Sequence, residues 1–339
     1  MTILLNLLFL VLGMVLLIKG ADFFVRGASA IAKRLKVPAM VIGLTVVALG
    51  TSLPELSVSI ASAIKHSADL SVGNIVGSNL VNLLLILGIV TLIKPVPIKP
   101  ASKKIDFPFL MGVTLLLMLF SADSVLDATP NVVSRVESIV LLVVLVIYLV
   151  LVVRNAMAER QREMAQAKVI TPLSPGEAVP PAPERVLKVW QIVLCVGLGL
   201  GAVIFGAECV CSTAQYLALK MGMSEALVGL TVVAIGTSLP ELATSMAAAI
   251  NGENELALGN LVGSNIMNIA LIVGVVGVIN PVAISSVILV DMLIMCVTTV
   301  GFSVFCLTRK AQVGRVIGGI LVAAYVAYLT FAIVRNYCF

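Results

Sequence analysis

VIGLTVVALGTSLPELSVSIASAI (residues 41–64) recurs as LVGLTVVAIGTSLPELATSMAAAI (227–250), and GNIVGSNLVNLLLILG (73–88) recurs as GNLVGSNIMNIALIVG (259–274). Both recurrences fall at one offset of 186 residues without a gap, and 28 of the 48 aligned positions from 41 to 88 are identical. The chain therefore carries one structural unit twice.

Outward from these blocks the sequence is a series of apolar runs separated by short polar breaks. A bilayer core needs about 20 mostly apolar residues per helix. Ten such runs are expected, near 3–30, 38–64, 67–93, 105–121, 133–153, 187–214, 226–250, 254–279, 284–307 and 313–335. The long polar segment at 154–186, charged at first and then rich in proline, reads as a solvated linker. Residues 1–153 and 187–339 then form two five-helix halves. An odd number of spans per half makes the second copy enter the bilayer from the opposite face, an inverted repeat about a pseudo-two-fold axis in the membrane plane. The expected fold is an all-α polytopic membrane protein of ten transmembrane helices.

Composition agrees. Of 339 residues, 60% are hydrophobic and 12% charged, and the mean hydropathy is +1.16, far from the quarter-charged composition of soluble domains. The first apolar run is long and has no small-residue cleavage site after it, so it is expected to stay as a helix. The net charge of +5 resides mostly in loops, where it reports orientation and not a nucleic-acid partner. With both termini outside, seventeen Lys and Arg lie on the inner side, against four outside (Lys65, Arg135, Lys220, Arg335). The central loop is accordingly expected in the cytoplasm of a cell-membrane protein. Cys195, Cys209, Cys211, Cys296, Cys306 and Cys338 show no CxxC spacing and read as small core residues. His66 is the only histidine, which excludes an HExxH zinc site.

GTSLPE places Glu55 and Glu241 in the middle of apolar helices. A carboxylate at that depth costs a few kcal/mol even on the lenient insertion scale, about 2.5–3.5 for aspartate, so an intramembrane acid signals function. Thr51 and Ser52 lie four and three residues before Glu55 and share its helical face; Thr237, Ser238 and Glu241 repeat it. Pro54 and Pro240 lack an amide hydrogen and are expected to break their helices around Gly50 and Gly236, freeing carbonyls. Irregular backbone at this depth is tolerated only where it is buried in protein or lines a cavity. GNxVGSNxxN adds Asn74, Ser78, Asn79 and Asn82, and in the second copy Asn260, Ser264, Asn265 and Asn268. Gly73, Gly77, Gly259 and Gly263 suit close helix approach.

The donors are all oxygen, which describes a hard cation. Calcium takes six to eight oxygens at about 2.3–2.6 Å, whereas magnesium tends to keep its waters. Two glutamates also balance one calcium. Small-residue packing alone could explain single glycines and serines, and interhelical hydrogen bonds could explain the asparagines. A buried acid has no packing rationale. Elsewhere, Asp22 is expected to pair with Lys19 or Arg26, Glu208 to face an aqueous vestibule, and Trp190 to anchor at the interface, with Asp291 left unassigned.

GTSLPE followed by GNxVGSNxxN in each half resembles the alpha-repeats of the calcium/cation antiporter superfamily and is most similar to its sodium/calcium exchanger branch, including prokaryotic relatives of the potassium-dependent exchangers. The resemblance implies that the second and third helices of each half form the site, while the first and sixth slide to switch access. It implies that Glu55 and Glu241 coordinate calcium with Thr51, Thr237 and the carbonyls of Ala48 and Ala234. Ser52, Ser238, Ser78, Ser264, Asn82 and Asn268 would complete the sodium sites. Asn268 stands where some relatives carry an acid linked to potassium use, so the resemblance does not extend to potassium dependence. Gly77 and Gly263 stand where proton-coupled relatives carry an acid. A linker of this length cannot bury a core of its own, so no built-in calcium sensor is expected.

The expected activity is sodium/calcium antiport at one alternately exposed site, with calcium and sodium as transported ions, the bilayer as partner, and neither cofactor nor covalent chemistry. The alternatives are a proton/calcium or other divalent-cation exchanger, separable by the driving gradient, and a cation-selective channel, which would pass current without counter-ion. No motif specifies an oligomeric state.

Overall fold

The computed structural model describes residues 3–65, 68–122, 131–169, 187–221, 234–308 and 312–338. The expectations for His66, for 227–233 of the second GTSLPE block and for most of the linker (170–186) lie outside the described residues. Within them the chain is mostly helical. Seven helices are long and apolar enough to span a membrane, or eight if one bent pair counts as a single span.

In the first half, α1 (Ile3–Leu35) leads into α2 (Ala39–Thr51) and α3 (Leu53–Ile64), which meet at 45°. Then come α4 (Ser71–Ile93), α5 (Pro100–Lys104), α6 (Asp106–Phe120) and α7 (Arg135–Val169). The second half has α8 (Val189–Lys220), α9 (Ala234–Thr237), α10 (Leu239–Ile250), α11 (Asn254–Ile279), α12 (Ser286–Thr308) and α13 (Arg315–Cys338). α7 continues through 154–169, where polarity predicts a solvated linker. RNAMAERQREMAQAKV is built from strong helix formers, so propensity carries the helix past the apolar run.

α4 and α11 are the centre of the bundle: 78% of each apolar window is buried, against 22–39% for the other spans. The remaining helices turn large side chains outward, such as Leu8, Val136, Leu198 and Val316, as a lipid-facing belt requires. Close backbone approach holds the centre together. A Cβ on Gly259 would lie 2.5 Å from the Met40 carbonyl, and one on Gly43 would lie 2.6 Å from the Leu256 carbonyl, so α2 and α11 touch main chain to main chain. α1 and α8 meet in the same way. A Cβ on Gly20 would sit 2.8 Å from Ala202 Cβ and 2.9 Å from the Gly199 carbonyl.

Among the described residues, four two-residue strands stitch the halves. β1 (Val96–Pro97) pairs antiparallel with β4 (Gln312–Val313), and β2 (Val132–Val133) with β3 (Val282–Ala283). Each pair joins a strand of one half to a strand of the other.

Candidate ion-binding site

The two short helices that carry the acids begin just after a break. Ser52 (φ −85°, ψ 6°) interrupts α2 and α3, and Ser238 (φ −89°, ψ 6°) precedes α10 in the same conformation. The breaks lie two residues beyond Gly50 and Gly236, the positions expected from the prolines. Proline is tolerated in the first turn of a helix, whose N–H groups have no partner in the helix. The chain therefore turns before Pro54 and restarts at Leu53, and likewise before Pro240 at Leu239. Glu55 and Glu241 consequently stand in the first turn of α3 and α10, where the positive end of the helix favours a carboxylate.

Both carboxylates are fully buried. Each is met by hydroxyls from both halves. Ser78 donates to Glu55 Oε1 at 3.2 Å and Ser238 at 3.4 Å, and the two hydroxyls are 2.7 Å apart. Ser52 donates to Glu241 Oε1 at 3.1 Å and Ser264 at 3.4 Å. The same bonds thus occur twice with the halves exchanged. Glu55 Oε2, Glu241 Oε2 and both amide atoms of Asn82 and of Asn268 are buried with no hydrogen-bond partner among the described residues. Buried polar atoms are ordinarily satisfied. A buried carboxylate oxygen left without a partner in each half suits a cation.

Asn82 and Asn268 stand in π-helical turns, Val81–Ile86 and Asn268–Val273, at matching places in α4 and α11. Such turns occur frequently at functional sites. The Ala48 carbonyl remains in its helix, accepting the Ser52 N–H at 3.0 Å and lying 3.4 Å from the Thr51 hydroxyl. On the second side, the Ser238 N–H reaches the Ile235 carbonyl at 3.2 Å, and Ala234 opens α9.

Behind this layer is one that sequence reasoning missed. Thr51 donates to Asn260 Oδ1 at 3.1 Å and Thr237 to Asn74 Oδ1 at 3.2 Å, again across the halves. The Asn260 amide donates to Thr244 (3.1 Å) and Ser245 (2.9 Å), and that of Asn74 to Ser59 (3.2 Å). A period of four was the available signal: Asn74, Ser78 and Asn82 share one face, and Ser59 follows Glu55 by four. Asn79 and Asn265 meet elsewhere, where the Asn265 amide donates to the Asn79 carbonyl at 3.3 Å.

The outlying acids divide. Asp22 pairs with Arg26 at 2.7 Å as expected and also accepts from Asn251 at 2.9 Å. Glu208 is exposed on α8. Asp291 pairs with Arg335 at 2.8 Å, tying α12 to α13. Trp190 is 59% exposed at the start of α8. Among the described residues no group of three or more His, Cys, Asp or Glu is placed to hold a metal, so a cation between the two glutamates would need oxygen ligands of other kinds.

The family described as "Sodium/calcium exchanger protein" matches residues 5–154 and 191–334, one stretch in each half. "Inner membrane protein YrbG" of Escherichia coli is 35% identical over 298 residues, covering 86% of each chain. "Sodium/calcium exchanger MaX1" of Methanosarcina acetivorans is 30% identical over 346 residues, covering 96% of this chain and 98% of that one. Among solved structures, the sodium-calcium exchanger NCX_Mj soaked with Na+ and Ca2+ superposes with a TM-score of 0.79 at 29% identity, covering 96% of this chain and 98% of that one.

Proposed function

The chain belongs to the sodium/calcium exchanger protein family, and from that premise we propose that it is a secondary antiporter in which sodium entering down its gradient drives calcium out of the cell. One observation carries the proposal: Glu55 and Glu241 are fully buried, each held by a serine from either half, and each keeps one carboxylate oxygen unpartnered among the described residues.

Two carboxylates neutralise one calcium, and the hydroxyl and amide oxygens around them supply the further ligands its coordination calls for. Glu55, Glu241, Thr51 and Thr237, with the carbonyls of Ala48 and Ala234, form the calcium site in this reading. Ser52, Ser238, Ser78, Ser264, Asn82 and Asn268 complete the sodium sites. Sodium and calcium are nearly equal in size and differ in charge, so they compete for the same oxygens with different numbers of ions. That competition is the physical basis of exchange.

The proposed architecture is ten transmembrane helices in two inverted five-helix halves, 1–153 and 187–339, with the termini outside and the linker at 154–186 in the cytoplasm of the cell membrane. The recurrence at 186 residues, the exchanged strand pairs and the exchanged serine–glutamate bonds support it. Two equivalent halves of opposite orientation give two gates about one central site, as alternating access requires.

Radioactive calcium uptake into sodium-loaded proteoliposomes, diluted into sodium-free medium with a protonophore present, tests the proposal. Uptake should require the outward sodium gradient, survive the protonophore and be indifferent to external potassium, because Asn268 is neutral. Uptake that follows an imposed pH gradient alone would replace sodium with proton coupling, and calcium current without counter-ion would make the protein a channel.

A further inference from the structure

The exchange reading requires that Thr51 and Thr237 offer oxygen lone pairs to a cation, and a hydroxyl can do this only when its proton points elsewhere. A threonine hydroxyl has one proton and two lone pairs. Thr51 is fully buried, and its neighbours are the Ala48 carbonyl (3.4 Å), Glu241 and Asn260 Oδ1 (3.1 Å). A proton aimed at Glu241 would face the cation that the carboxylate holds. Thr51 also has the Glu241 carboxylate within hydrogen-bond reach, but once a cation occupies that carboxylate the remaining acceptors are the Ala48 carbonyl and Asn260 Oδ1, of which Asn260 Oδ1 is the closer and draws the proton toward α11.

An amide has one acceptor end and one donor end, and only its surroundings decide which end faces Thr51. At Asn260 the donor end is committed twice, to Thr244 (3.1 Å) and to Ser245 (2.9 Å). Thr244 has its own proton engaged by the Pro240 carbonyl at 2.7 Å, so it can only accept from the amide. The acceptor end is therefore fixed toward Thr51. At Asn74 the donor end has, among the described residues, Ser59 (3.2 Å), and Val58 occupies the place equivalent to Thr244.

Resting on the exchange reading, we propose that Asn260 and Asn74 are positioning residues: each draws the hydroxyl proton of the opposite half's threonine out of the ion site, with the Asn260–Thr51 arm the more rigidly oriented of the two. Neither amide touches the ion, and the Thr244 and Ser245 hydroxyls act on calcium only through Asn260 and Thr51.

The test is a double-mutant cycle between Thr51→Val and the pair Thr244→Val with Ser245→Ala, read as apparent calcium affinity in sodium-driven uptake. Val58 shows that an equivalent helix accepts valine at this place, and Thr51→Val keeps the shape of the side chain, so insertion is preserved. Each perturbation alone should weaken calcium about five-fold, the scale of one hydrogen bond. Together they should weaken it no more than Thr51→Val does alone, because the second tier has then lost the hydroxyl it orients. Losses that multiply, to about twenty-five-fold, would overturn the inference while leaving exchange intact. A wild type that moves no calcium on a sodium gradient would remove the exchange reading and this inference with it.

Discussion

Glu55 and Glu241 each keep one oxygen in hydrogen bonds with serines and one oxygen unpartnered among the described residues. Removing the charge from either should therefore disable calcium binding and spare insertion. Glu55→Gln or Glu241→Gln leaves a buried cation short of one charge, a loss of about 3 kcal/mol or more, or at least a hundred-fold in affinity. Uptake at wild-type rates by a well-expressed variant would refute the assignment. Asn268→Asp adds a charge beside the pair and should change the response to sodium and potassium more than it changes folding, measured as uptake against each cation in turn. The burial of the two acids was legible in the sequence because each stands in an apolar run, and the hydroxyls three and four residues before them share their helical face. The tasks of Asn74 and Asn260 were not. An asparagine in a helix can serve an ion or a neighbour, and only the distances across the halves, 3.1 Å to Thr51 and 3.2 Å to Thr237, distinguish the two.

At the level of elements, main-chain contact between α2 and α11 is the most sensitive joint. A Cβ added at Gly259 would lie 2.5 Å from the Met40 carbonyl, a neighbour with no free end to swing away. Gly259→Ala should cost about 1–3 kcal/mol, seen as a lower melting temperature in detergent and reduced calcium uptake. Gly197→Ala on exposed α8 meets nothing within 4 Å and should be neutral or slightly stabilising, by up to roughly 1 kcal/mol, since alanine favours a helix. Of the ten apolar runs read from the sequence, seven spans, or eight with the bent pair, stand among the described residues, and their ends were read poorly. α7 overruns its apolar segment because hydropathy marks where lipid begins and ends, whereas helix formation continues wherever propensity allows. The break falls at Ser52 for a similar reason: proline dictates that a helix must restart, but the restart occurs at the nearest position where proline fits a first turn.

Across the whole molecule, orientation can be tested directly. In a variant lacking the six native cysteines, an impermeant maleimide added outside cells should label a single cysteine placed at Lys65 but not one placed in the linker at Ser174. The reverse pattern would invert the assigned topology. The recurrence itself was legible from one chain, because 28 identities in 48 positions are far beyond coincidence. What the repeat did not reveal is how thoroughly the halves interlock, since strand pairing and serine–glutamate bonding arise from tertiary contact alone. That interlocking is reciprocal. Ser52 bonds Glu241, whose counterpart is Glu55, and Thr51 bonds Asn260, whose counterpart is Asn74. Every one of these partners has its counterpart within a single half, so the contacts around the acids are one set of residue types used twice. The two copies are not identical in this second layer: Val58 stands where the other half has Thr244, so the Asn260 amide has a partner there that Asn74 lacks.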